Sequence, residues 1–240
     1  GPYDVTFVYA PSPITICVPA IWLRWRRGTP VVFWVQDLWP DNLVSTGAVR
    51  SPQVLRAVEA LSRWIYRHCD LVLAQSQGFL QPIRRVCPDV RDVRVLPNWA
   101  DVFYQPGEIG PDAPERREFP GGFTVVFAGN LGSSQALETA IEAAALLREQ
   151  PVSWVFIGDG NQRTALEQQV RARDLGGRVR FLGWRPGEAM PRYLSLADAL
   201  LVSLRRDESF ASTVPAKVQP SLAMGRPILA ALDGEGARII

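Results

Sequence analysis

Short apolar runs alternate with stretches of helical periodicity along most of the chain. The unbroken runs Val5–Tyr9 and Val31–Val35 predict buried strands, and Ile14–Trp25 between them predicts a helix. After Ser51-Pro52, apolar residues recur at helical spacing as far as Cys69, and proline suits the first position of a helix. Continuous apolar strands separated by helices are typical of a parallel sheet covered on both faces.

The alternation stops near residue 104 and begins again near residue 123. Residues 105–122 are rich in proline and glycine, which predicts a linker or loop. Beyond it the pattern predicts strands at 123–128, 153–157, 179–182, 199–203 and 227–231, with helices at about 134–148, 161–172, 188–196 and 215–224. We therefore expect an α/β protein with two Rossmann-like, doubly wound domains, at 1–104 and 123–240.

Composition argues against nucleic-acid binding, a structural metal and a membrane span, and it indicates the compartment. A net charge of +2 with 47% hydrophobic residues is ordinary for a soluble protein and does not imply nucleic-acid binding. Three cysteines without C-x-x-C spacing and a single histidine predict a reducing compartment and no structural metal. No apolar run reaches the ~18 residues that a membrane span needs. We expect a cytoplasmic protein.

Three strands of the second series end in glycine. The turns are Gly129-Asn130-Leu131-Gly132, Gly158-Asp159-Gly160 and Gly183-Trp184. A strand, a glycine turn and a helix together place backbone N–H groups where phosphate can bind. The alternative is that the glycines only allow tight packing. The dinucleotide fingerprint G-x-G-x-x-G is absent, so a dehydrogenase is disfavoured.

Three charged positions are candidates for chemistry. Lys217 is the only lysine beside 25 arginines, and a compact ammonium suits a phosphate. Asp37 follows a strand and could bind or deprotonate an acceptor hydroxyl, whereas Asp41 better fits capping of the next turn. Glu208 could hold ribose hydroxyls or cap a turn.

The segment Ile21–Arg27 combines two tryptophans with three arginines. This mixture is typical of membrane-interface helices, and equally of a sheet-covering helix with a solvated basic end. The charge distribution agrees with an anionic partner for the first half, because residues 1–100 hold 11 arginines against 7 acidic residues.

The ordered motifs resemble the family 4 glycosyltransferases of the GT-B fold, in the branch that builds bacterial surface polysaccharides and includes N-acetyl-fucosamine transferases. The resemblance covers nearly the whole chain. It rests on Asp37-Leu-Trp-Pro40, Pro97-Asn-Trp-Ala-Asp101, Phe127-Ala-Gly-Asn-Leu-Gly132, Val179-Arg-Phe-Leu-Gly183, Val214-Pro-Ala-Lys-Val-Gln219, Gly225-Arg-Pro227 and Leu232-Asp-Gly-Glu-Gly236.

The resemblance implies a retaining sugar transfer without a metal or other cofactor. The donor would be a nucleotide-sugar, UDP-linked, and the acceptor a polyprenyl-linked or other saccharide at the inner membrane face. The turn 129–132 and Lys217 would contact the diphosphate, and Thr213 and Val214 the phosphate or sugar. Gly183 and Trp184 would lie near the base.

Two departures from the family pattern concern ribose and acceptor binding. Ser212 and Pro220 stand where many members have a Glu-x7-Glu pair, so Glu208 or Gln219 would hold the ribose. Gln36 precedes Asp37 where many family members have histidine, so a histidine general base is not expected there. The family's domains also extend further at both ends, so we expect this chain to be an inactive fragment, its first domain incomplete and its second truncated. A non-catalytic sugar-nucleotide-binding protein and a GT-B sugar-nucleotide epimerase are the alternatives.

Overall fold

The computed structural model describes residues 3–45, 47–207 and 210–240. The chain divides into two compact units, each with its own parallel sheet. The first unit comprises residues 1–98 and 207–214, and the second comprises residues 99–206 and 215–240. The segment 207–214 therefore belongs to the first unit although the chain on both sides of it belongs to the second.

The first unit contains four parallel strands that lie in chain order across the sheet. They are β1 (Thr6–Ala10), β2 (Val31–Val35), β3 (Leu71–Ala74) and β4 (Val93–Val95). The connecting helices are α1 (Val18–Arg27), α2 (Asp41–Ser45), α3 (Pro52–His68) and α4 (Leu80–Val86), with 3-10 turns before α1 and α4.

One face of this sheet forms the core of the first unit. Val8, Phe33 and Val72 lie on it and pack in one cluster with residues of the helices. On the opposite face Phe7 and Tyr9 are half-exposed, with their rings 6.1 and 5.3 Å from that of Trp34. The expectation that the first strand is wholly buried was therefore wrong, because β1 is an edge strand with an open face.

The helix expected after Ser51-Pro52 is confirmed as α3. Proline occupies its first turn, and the helix ends where Cys69 adopts an extended conformation. Its inner face buries Ile65 and Tyr66, and Ser51 makes no side-chain capping hydrogen bond. Burial of the apolar face, rather than a cap, therefore stabilises this helix.

The second unit contains a five-stranded parallel sheet with the order β7-β6-β5-β8-β9. The strands are β5 (Phe123–Ala128), β6 (Val152–Ile157), β7 (Val179–Gly183), β8 (Ala199–Ser203) and β9 (Ile228–Ala231). The helices are α5 (Pro114–Glu118), α6 (Glu138–Leu146), α7 (Arg163–Ala172), α8 (Met190–Leu194), α9 (Val218–Ala223) and α10 (Glu235–Ile239). The order reverses between β5 and β8, which is the doubly wound topology.

Alternate residues of β5 enter two separate cores. Val125 and Phe127 pack on one face of the sheet with Phe156, and Val126 packs on the other face with Val155. Because both faces are covered, each central strand is apolar at all but one position, which explains why the sequence pattern predicted these strands well.

The segment 105–122 contains α5 and is bonded to the second unit. The Arg192 guanidinium donates two hydrogen bonds to the Glu115 carboxylate, at 2.5 and 3.0 Å. The Glu118 carboxylate accepts from Arg185 at 2.5 Å and from the Tyr193 hydroxyl at 2.7 Å. This part of the chain is thus anchored to α8 and its flanks.

Candidate functional site

The carboxyl edge between β5 and β8 is the point where the strand order reverses, and open α/β sheets bind ligands at such points. The connections after the two strands are bonded to each other here. The Ser203 hydroxyl donates to the Gln135 carbonyl at 2.6 Å, and the Arg205 amide donates to the Ser134 carbonyl at 2.7 Å.

Lys217 lies at this edge, immediately before α9. Its Nζ lies 4.1 Å from the centroid of the Phe127 ring and donates a hydrogen bond to Gln135 Oε1. The Gln135 amide is itself oriented, because its Nε2 donates to the Ser134 hydroxyl at 3.2 Å. Lys217 has no carboxylate partner among the described residues.

The surroundings of Lys217 disfavour its positive charge. Burial removes water from the ammonium and lowers the pKa of Lys217 from 10.5 to about 7. The π face of Phe127 and the carbonyl of Gln135 are neutral and compensate only in part. An anionic ligand at this edge would complete the site by supplying the missing opposite charge.

The first glycine turn approaches Lys217 closely. A Cβ at Gly129 would lie 3.7 Å from the lysine Cε, and Gly129 has a φ of +142°. The structure therefore brings residues 129–132 and Lys217 together, as the sequence-based site required. Whether they bind a diphosphate remains a prediction.

The first and second glycine turns are interlocked. The Leu131 amide donates to the Asp159 carbonyl at 2.8 Å, and the Gln162 amide donates to the Leu131 carbonyl at 2.9 Å. A Cβ at Gly158 would lie 1.9 Å from the Gly129 oxygen, and one at Gly160 would lie 2.5 Å from Asn130 Oδ1. Close packing therefore accounts for Gly158 and Gly160 without a ligand.

Several amides of these turns already have acceptors within the second unit. Gly129 donates to the Ile157 carbonyl, and Gly158 donates to the Gly183 carbonyl, each at 2.9 Å. Within the described residues, only the amides of Asn130 and Gly132 in the first turn lack an acceptor. A 3-10 turn at Ser133–Gln135 also separates this turn from α6.

The third turn lies beside an arginine that the sequence analysis missed. Arg163 pairs with Glu167 at 2.9 Å and with Asp159 at 3.5 Å. Its Nη1 would lie 3.3 Å from a Cβ at Gly183. Trp184 is 70% exposed and offers a free aromatic surface. No sequence motif marked Arg163, which is one of 25 arginines.

The other predicted donor residues do not all belong to the second unit. Thr213 and Val214 belong to the first unit, where Val214 is buried and the Thr213 amide donates to the Phe210 carbonyl at 2.9 Å. Gln219 lies in α9 with a buried Oε1 that has no partner among the described residues. Glu208 lies outside the described residues.

Asp37 follows β2 in the first unit and is partly buried. Its carboxylate accepts no hydrogen bond from any described residue, and burial raises the pKa of Asp37 to about 6. Asp41 opens α2 and pairs with Arg85 at 2.6 Å. The proton affinity of the Asp37 carboxylate is thus raised by burial, whereas Asp41 is held in an ion pair with Arg85.

A cluster of amide side chains lies beside Asp37 at the ends of β2, β3 and β4. Asn98 Nδ2 donates to Gln36 Oε1, and Gln75 Nε2 donates to the Gln36 carbonyl, both at 2.8 Å. Gln36 is buried, and its Nε2 has no partner among the described residues. The sequence signal, an amide residue within three positions after each of three strands, was present but not used.

These features define a class: an α/β protein of two Rossmann-like units, with a partly desolvated cation at the topological switch point of the second. Among the described residues, no group of histidine, cysteine and carboxylate side chains could hold a metal ion. None of the helices in the described ranges has the length and apolar character to cross a bilayer.

Two family models match the chain and together leave out only residues 100–121. Residues 1–99 match a glycosyl transferase 4-like domain, and residues 122–240 match the glycosyl transferases group 1 domain. The chain belongs to this family of glycosyltransferases. The fold class expected from the sequence, α/β of the GT-B type, and the family resemblance are confirmed.

Relatives of the chain include named glycosyltransferases. A probable glycosyltransferase of Pseudomonas aeruginosa, WbjE, is 30% identical over 90% of this chain and 54% of its own length. WcaI of Escherichia coli, described as a colanic acid biosynthesis glycosyl transferase, is 26% identical over 89% of this chain and 54% of its own. The chain spans about half the length of these relatives.

Solved structures share the fold. HepE of Anabaena, crystallised with UDP and glucose, superposes with a TM-score of 0.77 at 18% identity, over 99% of this chain and 62% of that one. WaaG, a glycosyltransferase involved in lipopolysaccharide biosynthesis, gives a TM-score of 0.68 at 14% identity, over 92% of this chain and 64% of that one.

Proposed function

We propose that the complete protein transfers a sugar from a UDP-linked donor to a lipid-linked or other saccharide acceptor during surface polysaccharide biosynthesis, with retention of configuration. The observation that carries the proposal is the placement of Lys217 against Phe127 and Gln135 at the switch point. Colanic acid biosynthesis in the name of WcaI supports the pathway, and UDP in the HepE crystals supports the donor class.

In this proposal Lys217 stabilises the diphosphate as it leaves. Negative charge grows on the leaving group in the transition state, and a preorganised cation in a desolvated site stabilises it strongly. The unbonded amides of Asn130 and Gly132 donate to the same phosphates. Lys217 supplies the charge that a metal ion supplies in other transferases, and Trp184 provides a flat surface for the base.

Asp37 serves the acceptor in this proposal. With a pKa of about 6 it is ionised at neutral pH but binds a proton more readily than an exposed aspartate. Such a carboxylate can accept a hydrogen bond from the attacking hydroxyl, or take its proton. The neighbouring residue is Gln36, not a histidine, so we assign no imidazole base here. A hexose or an N-acetylaminosugar is the transferred group that we propose.

The test is release of nucleotide by the complete protein. It would be incubated with a panel of UDP- and GDP-sugars and a polyprenyl diphosphate sugar, together with the Lys217→Met and Asp37→Asn variants. Acceptor-dependent UDP release that falls in both variants supports the proposal. UDP or isomerised sugar formed without acceptor would instead indicate an epimerase, and nucleotide binding without turnover would indicate a binding protein.

A further inference from the structure

Three side-chain amides meet at the carboxyl edge of the first sheet. Gln36 and Gln75 directly follow the last residues of β2 and β3, and those last residues are paired with each other in the sheet. Asn98 lies three residues beyond the end of β4. The two glutamines are buried, with 9% and 5% of their surface exposed, and Asn98 is partly buried. We call these three residues the amide cluster.

Hydrogen bonds connect all members of the amide cluster. The Asn98 Nδ2 donates to Gln36 Oε1 at 2.8 Å and to Gln75 Oε1 at 3.4 Å. The Gln75 Nε2 donates to the backbone carbonyl of Gln36, also at 2.8 Å. The chain that leads to Asn98 is held as well, because the Leu96 carbonyl accepts from the Trp34 Nε1 at 3.0 Å. The amide cluster therefore ties together the ends of three neighbouring strands.

Stability alone does not explain the amide cluster. The Gln36 Nε2 is buried and has no hydrogen-bond partner in the part of the chain that the structure describes. A buried donor without an acceptor opposes folding, and a half-satisfied polar network is less stable than apolar packing. The network lies at the carboxyl edge of an open α/β sheet, which is where such sheets bind ligands. A role in the function of this edge is therefore the better explanation.

Asp37 is the residue through which the amide cluster can act. No described residue donates a hydrogen bond to its carboxylate, so the position of the carboxylate depends on the backbone that carries it. Gln75 binds the carbonyl of the peptide group that joins Gln36 to Asp37, and Asn98 holds the Gln36 side chain. Because a peptide group is planar, these bonds fix the orientation in which the chain enters Asp37.

We propose that Gln75 and Asn98 are positioning residues that hold the Asp37 carboxylate in place for the acceptor hydroxyl. Neither amide is assigned a contact with either sugar, and both act through the peptide group before Asp37. The proposal rests on the proposed function for the role of Asp37. Its physical content, control over the surroundings of that carboxylate, can be measured without any transfer. Burial is what raises the pKa of Asp37 to about 6, so a carboxylate that moves toward water should have a lower pKa.

The first measurement is the pKa of Asp37, read from the carbon-13 signals of aspartate carboxyl groups in the labelled complete protein. Asp37→Asn identifies the Asp37 signal. In Gln75→Leu and Asn98→Leu the pKa should fall from about 6 to below about 5. Gln53→Leu, which removes an exposed amide from α3, is the matched control and should leave the pKa unchanged. Circular dichroism checks folding, and Asn98→Ser replaces any leucine variant that does not fold.

The second measurement is acceptor-dependent transfer by the same variants. A carboxylate displaced by about 1 Å costs up to about a hundredfold in rate, so kcat should fall at least about tenfold in both leucine variants. The KM for the UDP-sugar should not change, because the proposed donor contacts belong to the second unit. The acid limb of the pH profile should move to lower pH together with the pKa of Asp37.

Folded leucine variants that keep both the Asp37 pKa and the kcat of wild type would overturn the proposal. A pKa that fell equally in Gln53→Leu would also overturn it, since the effect would not depend on the amide cluster. Transfer by wild type that the leucine variants leave intact would refute positioning but not the proposed function. A lowered pKa in a protein that transfers no sugar would instead refute the proposed function, and control of Asp37 by the amide cluster would stand.

Discussion

Replacement of Lys217 by methionine tests the electrostatic reasoning about the donor site directly. Methionine keeps an unbranched apolar side chain against Phe127 but removes the ammonium. The wild-type ammonium has a pKa of about 7, so near neutral pH only about half of the free protein carries this charge. A bound diphosphate would stabilise the charged form and make the protein take up a proton.

The size of the effect follows from the pKa. At pH 8 about nine tenths of the Lys217 side chains are neutral, and protonating them costs about 1.4 kcal/mol, or about tenfold in affinity. At pH 6 nearly all are charged already and the cost disappears. Wild type should therefore bind UDP up to about tenfold more weakly at pH 8 than at pH 6. Tenfold is the upper limit, because Lys217 keeps part of its surface in contact with water.

The assay is titration calorimetry of the complete protein with UDP, in pairs of buffers that differ in ionisation enthalpy. Wild type should take up about 0.9 proton per UDP at pH 8 and about 0.1 at pH 6, beyond any change in the nucleotide itself. Lys217→Met provides the nucleotide's own pH dependence as the baseline. An exposed Arg171→Gln variant on α7 controls for general loss of positive charge.

Equal pH dependence in wild type and Lys217→Met would refute the reasoning. It would show either that Lys217 does not contact the phosphates or that its proton affinity is ordinary. Loss of affinity in Arg171→Gln that matched the loss in Lys217→Met would likewise show that the effect is nonspecific.

Further predictions concern the neighbouring residues. Gly158→Ala should lower the unfolding free energy by about 2–4 kcal/mol in a denaturant titration, because its Cβ would meet backbone at 1.9 Å, whereas Gly176→Ala, with open space around it, should change little. Asp37→Asn should raise the unfolding free energy by about 1 kcal/mol at pH 8. Because the pKa of Asp37 is higher in the folded state, the ionised carboxylate opposes folding. The gain in unfolding free energy should therefore disappear below pH 4, where the carboxyl is protonated in both states. Equal gains at pH 8 and below pH 4 would contradict this prediction. Gln135→Leu removes the side-chain carbonyl that accepts a hydrogen bond from the Lys217 ammonium, and should weaken UDP binding about fivefold at pH 7. Gln135→Glu should instead raise the pKa of Lys217 and make UDP binding less dependent on pH.

The strands of the second unit could be predicted closely because both faces of their sheet are buried. The run 199–203 matches β8 at both ends, and 123–128 matches β5. Helix α6 was predicted too long, since Ala136 adopts a left-handed conformation with a φ of 48° that no glycine or proline announces. The half-exposed face of β1 was also missed, because edge and central strands can carry the same apolar residues.

The site was predicted in part. Lys217 could be identified because it is unique, and its position beside the first glycine turn agrees with the prediction. Gln135 and Phe127 could not be identified, since their contacts with Lys217 join residues far apart in the chain, 82 positions in the case of Gln135. Arg163 could not be identified from the sequence for the same reason, because only the fold brings it beside Gly183.

The membership of residues 207–214 in the first unit has a consequence for protein engineering. The polypeptide passes between the units three times, so no single cut separates them. A chimera that joins residues 1–98 to the second half of another glycosyltransferase would leave Ser76 facing a foreign segment in place of Ser212, whose carbonyl it binds at 2.8 Å. Exchanges of the first unit between relatives should therefore transplant 207–214 together with the first 98 residues.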